Sequence, residues 1–251
     1  MLKVGVVGVG GISGAHIPAW EEIKEVELVA LCDIRQERLD KYPSKRHYND
    51  FKEMLEKEEL DILDICLPTY LHADYAIMAM EKGINVICEK PAGVYTKQVR
   101  EMNEFAAKQD KTFAMMFNQR TNPVYRKMYE LVHSGKYGEI RRTNWLITSW
   151  YRSQAYYDSG AWRATWAGEG GGVLLNQCPH QLDLWQWICG MPTHVLAHTA
   201  NDHHKDAIEV EDLAAARFEC PDGILINFYA TTAAGKSFPA HIRLRLNGKK
   251  T

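Results

Sequence analysis

Four glycines and one aspartate carry the first chemical signal in this 251-residue chain. Gly8, Gly10, Gly11 and Gly14 follow a β-branched run of Val4, Val6 and Val7, and Asp33 closes a second apolar run, Val26 to Cys32. Holding a dinucleotide takes backbone N–H groups at close range, the partial positive charge of a helix N-terminus, and a carboxylate about 20 residues on to accept from ribose hydroxyls. Gly8 permits the tight turn, and Gly10 lets the backbone approach a pyrophosphate. The third position of the GxGxxG pattern is Ser13, small enough for close helix–strand packing. A carboxylate at Asp33 favours a free 2′-hydroxyl over a 2′-phosphate, so NAD is expected over NADP. Arg35 lies near enough to soften that preference.

Two further constellations offer proton chemistry. Glu89–Lys90–Pro91 follows an apolar run, Asn85 to Cys88. A lysine at the carboxyl end of a parallel strand points into the ligand crevice of an open α/β sheet, and the Lys90–Pro91 bond is a candidate for the cis form. The stretch GEGGGVLLNQCPHQLDLWQW at 168–187 opens on Gly170–Gly172, which allow close backbone approach. On one continuous helix, Asn176, His180 and Asp183 would share a face. Val173, Leu174, Leu182, Trp185 and Ile188 would cover much of the rest, so the polar stripe should meet a polar cleft or be fully hydrogen-bonded. A histidine is matched to general-base work at neutral pH. Between these sets, residues 145–166 hold Trp145, Trp150, Tyr151, Tyr156, Tyr157, Trp162 and Trp166. Flat rings suit sugar faces, although sheet core or an interface is expected for at least half of them. Arg152 and Arg163 suit an acidic substrate or a surface ion pair. His194, His198, His203, His204 and His241 read as structural or surface residues, and Glu209 and Glu211 are given no chemistry.

The elements that must position these residues alternate. Strands at 4–7, 26–32, 61–67, 85–88 and 112–117 are separated by helices at 13–23, 35–41, 51–57, 72–82 and 96–109, with Asn49–Asp50 and Thr96 as helix caps. That alternation is the signature of a doubly wound parallel sheet. After Asn118 the pattern changes. One helix, about 122–133, precedes β-rich runs at 139–150, 194–200, 211–219, 223–231 and 240–247, interrupted by one helix at 172–188. The expected organisation is a dinucleotide-binding domain over 1–120 and an α+β domain with an open, mostly antiparallel sheet over 121–251.

Composition narrows the class. Lys plus Arg number 30 against 32 acidic residues, a formal net charge of -2, so no basic surplus points to nucleic acid. No apolar run approaches the ~18 residues of a membrane span, and the start of the chain shows no signal-peptide pattern. Cys32, Cys66, Cys88, Cys178, Cys189 and Cys220 are scattered without a CxxC pair. Reduced thiols in a cytoplasmic enzyme are the reading, with no Cys/His spacing for a metal.

Taken in order, GVGGIS at 8–13, Asp33, Leu67–Pro68–Thr69 with His72, Glu89–Lys90–Pro91, Asn118–Gln119–Arg120, Trp162–Arg163 and GGGVLLNQCPHQLDL at 170–184 resemble the Gfo/Idh/MocA oxidoreductases over essentially the whole chain. The resemblance implies a Rossmann domain followed by an open-sheet domain. It implies hydride transfer between NAD(P) and a secondary hydroxyl of a sugar, cyclitol or sugar derivative. It places Lys90, His180 and Asn176 at the reacting hydroxyl. Gly8, Gly10, Gly11, Ile12, Asp33, Arg35, Leu67, Pro68, Thr69, His72, Glu89, Lys90, Trp162 and Arg163 fall to the cofactor. Asn118, Arg120, Tyr151 and Arg163 fall to the substrate together with the three reacting groups, and no metal is implied. Domain closure as in the family would bring Lys90 and His180 together at the nicotinamide. Many members carry Asp where this chain has Asn176, and an amide cannot take a proton at neutral pH. Two other readings share the sequence: an NAD-retaining lyase or glycosidase on the same fold, and a non-catalytic NAD-binding sensor. The chain is also expected to be shorter than its relatives at the C-terminus, since Leu246 to Thr251 directly follow a strand, and to form a homodimer or homotetramer through the second domain's sheet.

Overall fold

The structure is a computed structural model that describes residues 1–234 and 240–247. Residues 248–251, part of the C-terminal expectation, lie outside the described residues. The chain divides into two compact units, Met1–Met116 and Phe117–Thr251.

The first unit runs β1 (Leu2–Val7), α1 (Ser13–Glu22), β2 (Val26–Cys32), α2 (Gln36–Leu39), β3 (Arg46–Tyr48), α3 (Phe51–Lys57), β4 (Ile62–Ile65), α4 (His72–Glu81), β5 (Asn85–Cys88), α5 (Thr96–Ala106) and β6 (Phe113–Met115). The strands form one parallel sheet in the order β3-β2-β1-β4-β5-β6. A parallel sheet is covered on both faces, so its strands read as near-continuous apolar runs. Alternate residues of β1 feed two cores: Val4 and Val6 pack with Ile17, Leu28, Leu31 and Leu39, and Val7 packs with Leu63, Ile65, Met80 and Met102. Strand order reverses between β1 and β4, and a ligand crevice is expected beyond the carboxyl ends there. Asp50 caps α3 by accepting from the Glu53 N–H at 2.8 Å. Thr96 does not cap α5: it is already the first helical residue, and extended Tyr95 holds the cap position without a side-chain bond. Strand β3, a three-residue edge, was not expected.

The second unit contains α6 (Pro123–His133), β7 (Glu139–Ile147), α7 (Gln154–Asp158), α8 (Pro179–Cys189), β8 (His194–Ala200), β9 (Leu213–Glu219), β10 (Leu225–Thr231) and β11 (His241–Asn247). Its sheet order is β11-β7-β10-β9-β8. The β10–β7 pair is parallel and the other three pairings are antiparallel. Trp145, Ile226 and Phe228 of the sheet form a core with Leu184, Trp185 and Ile188 of α8, and Tyr125 and Met128 of α6 pack against it. Tyr129 of α6 stacks on Trp187 of α8, centroids 4.3 Å apart.

The single helix expected over 172–188 is two segments. Val173–Gln177 is a π-helical turn, closed by an i to i+5 bond from the Cys178 N–H to the Val173 carbonyl at 2.9 Å. Pro179 then starts α8 at a position where its missing N–H costs nothing. The widened turn breaks the regular i,i+4 relation between Asn176 and His180, because residues in a π turn are spaced differently from those of an α-helix.

Candidate active site

The glycine turn is built around a backbone contact. Gly8 has φ +91°, and a Cβ there would lie 2.5 Å from the Cys66 carbonyl oxygen. No side chain fits, so the end of β1 can run against the end of β4. At Gly10 a Cβ would meet only Arg38 Nη1 at 3.8 Å, and at Gly11 nothing within 4 Å. That open side, together with an α1 first turn carrying no acidic residue, fits a pyrophosphate approaching a helix N-terminus. Ser13 Oγ donates to the Gly10 carbonyl at 2.8 Å, so the residue in the third-glycine position tightens the turn itself. Ile12 sits at the helix cap. Asp33 is buried at the end of β2. Its Oδ2 accepts from the Val9 N–H at 2.8 Å and from Arg38 Nη1 at 3.0 Å, and its Oδ1 accepts from the Arg35 N–H at 2.9 Å. Arg38 is therefore the side chain that pairs with Asp33, while Arg35 meets it through its backbone N–H.

Beyond β4, Leu67 and Pro68 lead into a 3₁₀ turn, Thr69–Leu71. His72 is buried, its Nδ1 2.6 Å from the Pro91 carbonyl oxygen and its Nε2 2.8 Å from the Leu67 carbonyl oxygen. Burial pushes its pKa down. The ring thus braces the loop after β4 against the loop after β5. Lys90–Pro91 is cis. Lys90 stands just beyond β5, and its N–H donates to Glu89 Oε2 at 3.0 Å.

In the second unit the polar residues gather around Tyr156 and Glu169. Tyr156 O–H donates to Asn176 Oδ1 at 3.4 Å and accepts from Arg163 Nη1 at 2.9 Å. The guanidinium groups of Arg152 and Arg163 lie 4.4 and 4.5 Å from the Tyr156 ring centroid, and Arg163 lies 4.6 Å from that of Trp162. Glu169 is only 3% exposed. Its Oε2 accepts from the Ala164 N–H at 2.6 Å, and its Oε1 accepts from Asn176 Nδ2 and lies 4.0 Å from Arg163. Because a carboxylate only accepts, this bond fixes the amide orientation: Asn176 turns its nitrogen to Glu169 and its oxygen toward Tyr156. Ala164, with φ +53°, is a strained non-glycine residue of the same loop.

The glycine run positions the π turn. A Cβ on Gly172 would lie 1.9 Å from the Glu211 carbonyl oxygen. The Glu211 carboxylate accepts from the Gly172 N–H at 2.9 Å and the Leu174 N–H at 3.0 Å. Glu211 therefore caps this turn, and Glu209 accepts from the Trp166 N–H at 3.1 Å. His180 lies in the first turn of α8, edge-on to Phe117 at 6.1 Å. Arg120 and Asp183 are joined by a two-pronged ion pair at 2.8 and 2.6 Å. Each thus has a partner within the unit, and Asp183, three residues past His180 on α8, stays on the face of that residue. Asn118 opens the 3₁₀ turn that carries Arg120. Tyr151 and Trp166 are exposed, while Trp145 and Tyr157 are core residues.

Comparison with known proteins adds a family frame. A model described as oxidoreductase family, NAD-binding Rossmann fold, matches residues 2–117, and the GFO/IDH/MocA C-terminal domain matches residues 125–251. The chain is 30% identical to D-glucoside 3-dehydrogenase of Escherichia coli K12, over 76% of this chain and 55% of that one. It is 27% identical to myo-inositol 2-dehydrogenase of Thermotoga maritima, over 75% and 55%. It thus spans about half the length of these curated relatives. Among solved structures, the WlbA dehydrogenase of Bordetella pertussis, in complex with NADH and UDP-GlcNAcA, superposes with a TM-score of 0.92 at 28% identity, covering 99% of this chain and 72% of that one. Two consecutive domain matches, on a chain whose first unit has the reversing parallel sheet and strict glycine turn just described, establish that it belongs to the Gfo/Idh/MocA oxidoreductase family.

Proposed function

We propose that the chain carries out hydride transfer between NAD and a secondary hydroxyl of a sugar, cyclitol or sugar derivative. The first unit, with a boundary near residue 120, binds the dinucleotide, and the second binds the substrate. Gly8 to Ile12 and the start of α1 hold the pyrophosphate, Asp33 faces the adenosine ribose, and the loops after β4 and β5 line the remainder. Bound nicotinamide supplies the carbon that gives or takes the hydride. His180 takes the hydroxyl proton, and Lys90 donates to the same oxygen and stabilises the charge that develops there. Asn176, its amide set by Glu169, presents its oxygen to a neighbouring hydroxyl. Arg163 and Trp162 flank that position.

The observation that supports this reading is the shared edge in the first unit: Lys90 and the glycine turn both stand at carboxyl ends of parallel strands, on the side where such sheets take their ligands. The relatives' names, a glucoside 3-dehydrogenase and an inositol 2-dehydrogenase, point to ring hydroxyls. The test is to mix the protein with NAD and a panel of glucosides and cyclitols and follow absorbance at the NADH band. Sustained NADH supports the dehydrogenase. Product without net NADH would replace it with the cofactor-retaining lyase, and tight NAD binding without turnover would replace it with a sensor.

We also propose that the protein is a cytoplasmic homo-oligomer built through the second unit's sheet. Strand β8 is an edge strand whose Val195 and Leu196 are 57% and 75% exposed, and exposed apolar edges call for a cover. All six cysteines are buried as thiols, and no helix among the described residues is long and apolar enough to cross a membrane.

A further inference from the structure

Behind Glu89 and Lys90 the first unit holds a buried polar cluster centred on His16. His16 lies in the first turn of α1, three residues past Ser13. Its Nδ1 is 2.8 Å from Asp64 Oδ2 on β4, and its Nε2 is 2.9 Å from Glu89 Oε1 just beyond β5. The Trp20 indole N–H, one turn along α1, donates to the same Asp64 oxygen at 2.7 Å. Glu89 Oε2 in turn accepts from the Lys90 N–H at 3.0 Å. A continuous hydrogen-bonded chain therefore runs from the helix that opens at the glycine turn to the backbone of Lys90. Asp64 is fully buried, and His16 and Glu89 nearly so.

The chemistry of the ring follows from its neighbours. Carboxylates only accept hydrogen bonds, and an imidazole donates from both nitrogens only as the cation. The titratable and charged groups facing the ring are Asp64 and Cys66 from the β4 side and Glu89 from the β5 side, with Lys90 beyond Glu89. Burial works against the charge on His16, but the hydrogen bonds to Asp64, Cys66 and Glu89 outweigh it and push the pKa up to about 12. For Glu89, burial is outweighed by the His16 bond and charge and by Lys90, which hold the carboxyl below its usual range. Cys66 stays a neutral thiol, its pKa pushed by burial up to about 12. His16, Asp64 and Cys66 bring ligand atoms within 4.8 Å of one another, a spacing a metal ion could use. A metal-bound nitrogen must be deprotonated, however, and both ring nitrogens here meet carboxylates.

We propose that His16 is a positioning residue for Lys90: anchored to Asp64 through Nδ1, it grips Glu89 through Nε2 and so fixes the Lys90 backbone at the carboxyl end of β5. The inference rests on Lys90 carrying chemistry, as argued above. It adds that the helix receiving the phosphates and the lysine meeting the substrate oxygen share one buried charge pair.

Two experiments on the full chain test it. The first needs no turnover. Imidazole nitrogen and carbon shifts of His16 are followed by NMR between pH 6 and 9.5. The expected result is an imidazolium spectrum throughout, with the Lys90 amide resonance moving in Glu89→Gln. A His16 titration midpoint inside that window would overturn the proposal. The second measures kinetics of His16→Gln, Glu89→Gln and the double variant. Each single change should lower kcat by about 10- to 100-fold, as small misplacements do, with little change in the KM for NAD. The double variant should be no worse than the worse single, because the two act as one unit. The kcat/KM profile of His16→Gln should gain an ionisation absent from the wild type as Glu89 loses the cation that holds its carboxyl down. Multiplicative losses with an unchanged profile would overturn the clamp. A protein without dehydrogenase turnover but with a non-titrating His16 would overturn the functional reading and leave the clamp standing.

Discussion

Asn176→Asp is the most informative single change, because it exchanges an amide for a carboxylate of the same shape against a buried Glu169. The Asn176 nitrogen that donates to Glu169 Oε1 becomes an oxygen that cannot. Two carboxylates with charge centres about 4 Å apart, at an effective dielectric near 20, repel by about 4 kcal/mol, or roughly 3 pKa units. Arg163, 4.0 Å from Glu169 Oε1, offsets part of this. The pair is then expected to hold one shared proton, with its upper pKa raised above the usual carboxylate range, a property that belongs to the pair. Below it, an Asp O–H replaces the amide N–H and the acceptor toward Tyr156 is kept. Above it, the pair repels and the site loosens. The variant should therefore approach wild-type kcat near pH 6, with KM rising relative to wild type from pH 7 to 9. Stability follows the same sign. A carboxyl whose folded pKa is raised binds its proton more tightly when folded, so the variant's Tm deficit should be small near pH 5 and grow as pH rises through the pair's upper pKa. Parallel pH profiles of kcat/KM and Tm are the assay. A variant-to-wild-type ratio that stays flat from pH 6 to 9 would refute the assignment of Glu169 as the group that orients Asn176.

Asp33→Ser removes the carboxylate that meets Val9 and Arg38, leaving Arg35 and Arg38 for a 2′-phosphate. The NADP-to-NAD ratio of kcat/KM should rise on the order of tenfold, the worth of one ~1.4 kcal/mol interaction, and an unchanged ratio would remove Asp33 from cofactor choice. Gly172→Ala drives a Cβ into the Glu211 carbonyl and should cost about 3 kcal/mol, in the range of overpacked cores; an unmoved urea midpoint would show that the π turn can slide off the sheet. For Asp212, burial is outweighed by N–H groups of Asp202 and His203 and by His204, so its pKa is lowered. Its stabilisation is thus present above its unfolded value of about 4 and lost as pH falls through the folded value. Asp212→Asn should lower Tm at pH 7, with the difference shrinking toward pH 3, and a constant difference would contradict the role. Val195→Ser with Leu196→Ser should shift light-scattering mass from oligomer toward monomer, and a wild-type monomer at micromolar concentration would remove the oligomer proposal.

Local chemistry was readable where one residue type had only one use. Gly8 cannot be replaced beside Cys66, the Asn49–Asp50 pair marks a helix cap by composition, and Asn85–Cys88 is an uninterrupted parallel strand. Misread positions depended on geometry that periodicity does not encode. The π turn leaves no repeat to detect, and only Pro179, which cannot supply an N–H, hints at a break. Thr96 has the right chemistry for a cap one residue too late. Strand β3 is too short to show a pattern. Arg38, Glu169, Glu211 and His16 earn their places through partners distant in sequence or on the other side of a turn. His16 had a faint signal: a charged-capable ring on the inward side of a helix otherwise packed by Ile17. Its partners Asp64, in the middle of an apolar strand, and Glu89, beside Lys90, could not be connected to it without the sheet order.

The placement of β7 has a consequence for synthesis on the ribosome. In the first unit every strand finds its partners among segments already emerged or soon to follow. In the second, β7 at Glu139–Ile147 is flanked by β10 at Leu225–Thr231 and β11 at His241–Asn247, so both of its edges stay bare while most of the unit is being translated. Such distant pairing is slow to form, and an unpaired strand is a template for pairing with other chains. The nascent protein thus carries a finished nucleotide fold ahead of a half-sheet that stays adhesive until its last described strand arrives. Chaperone demand and misfolding on overexpression should therefore trace to β7 rather than to the first unit.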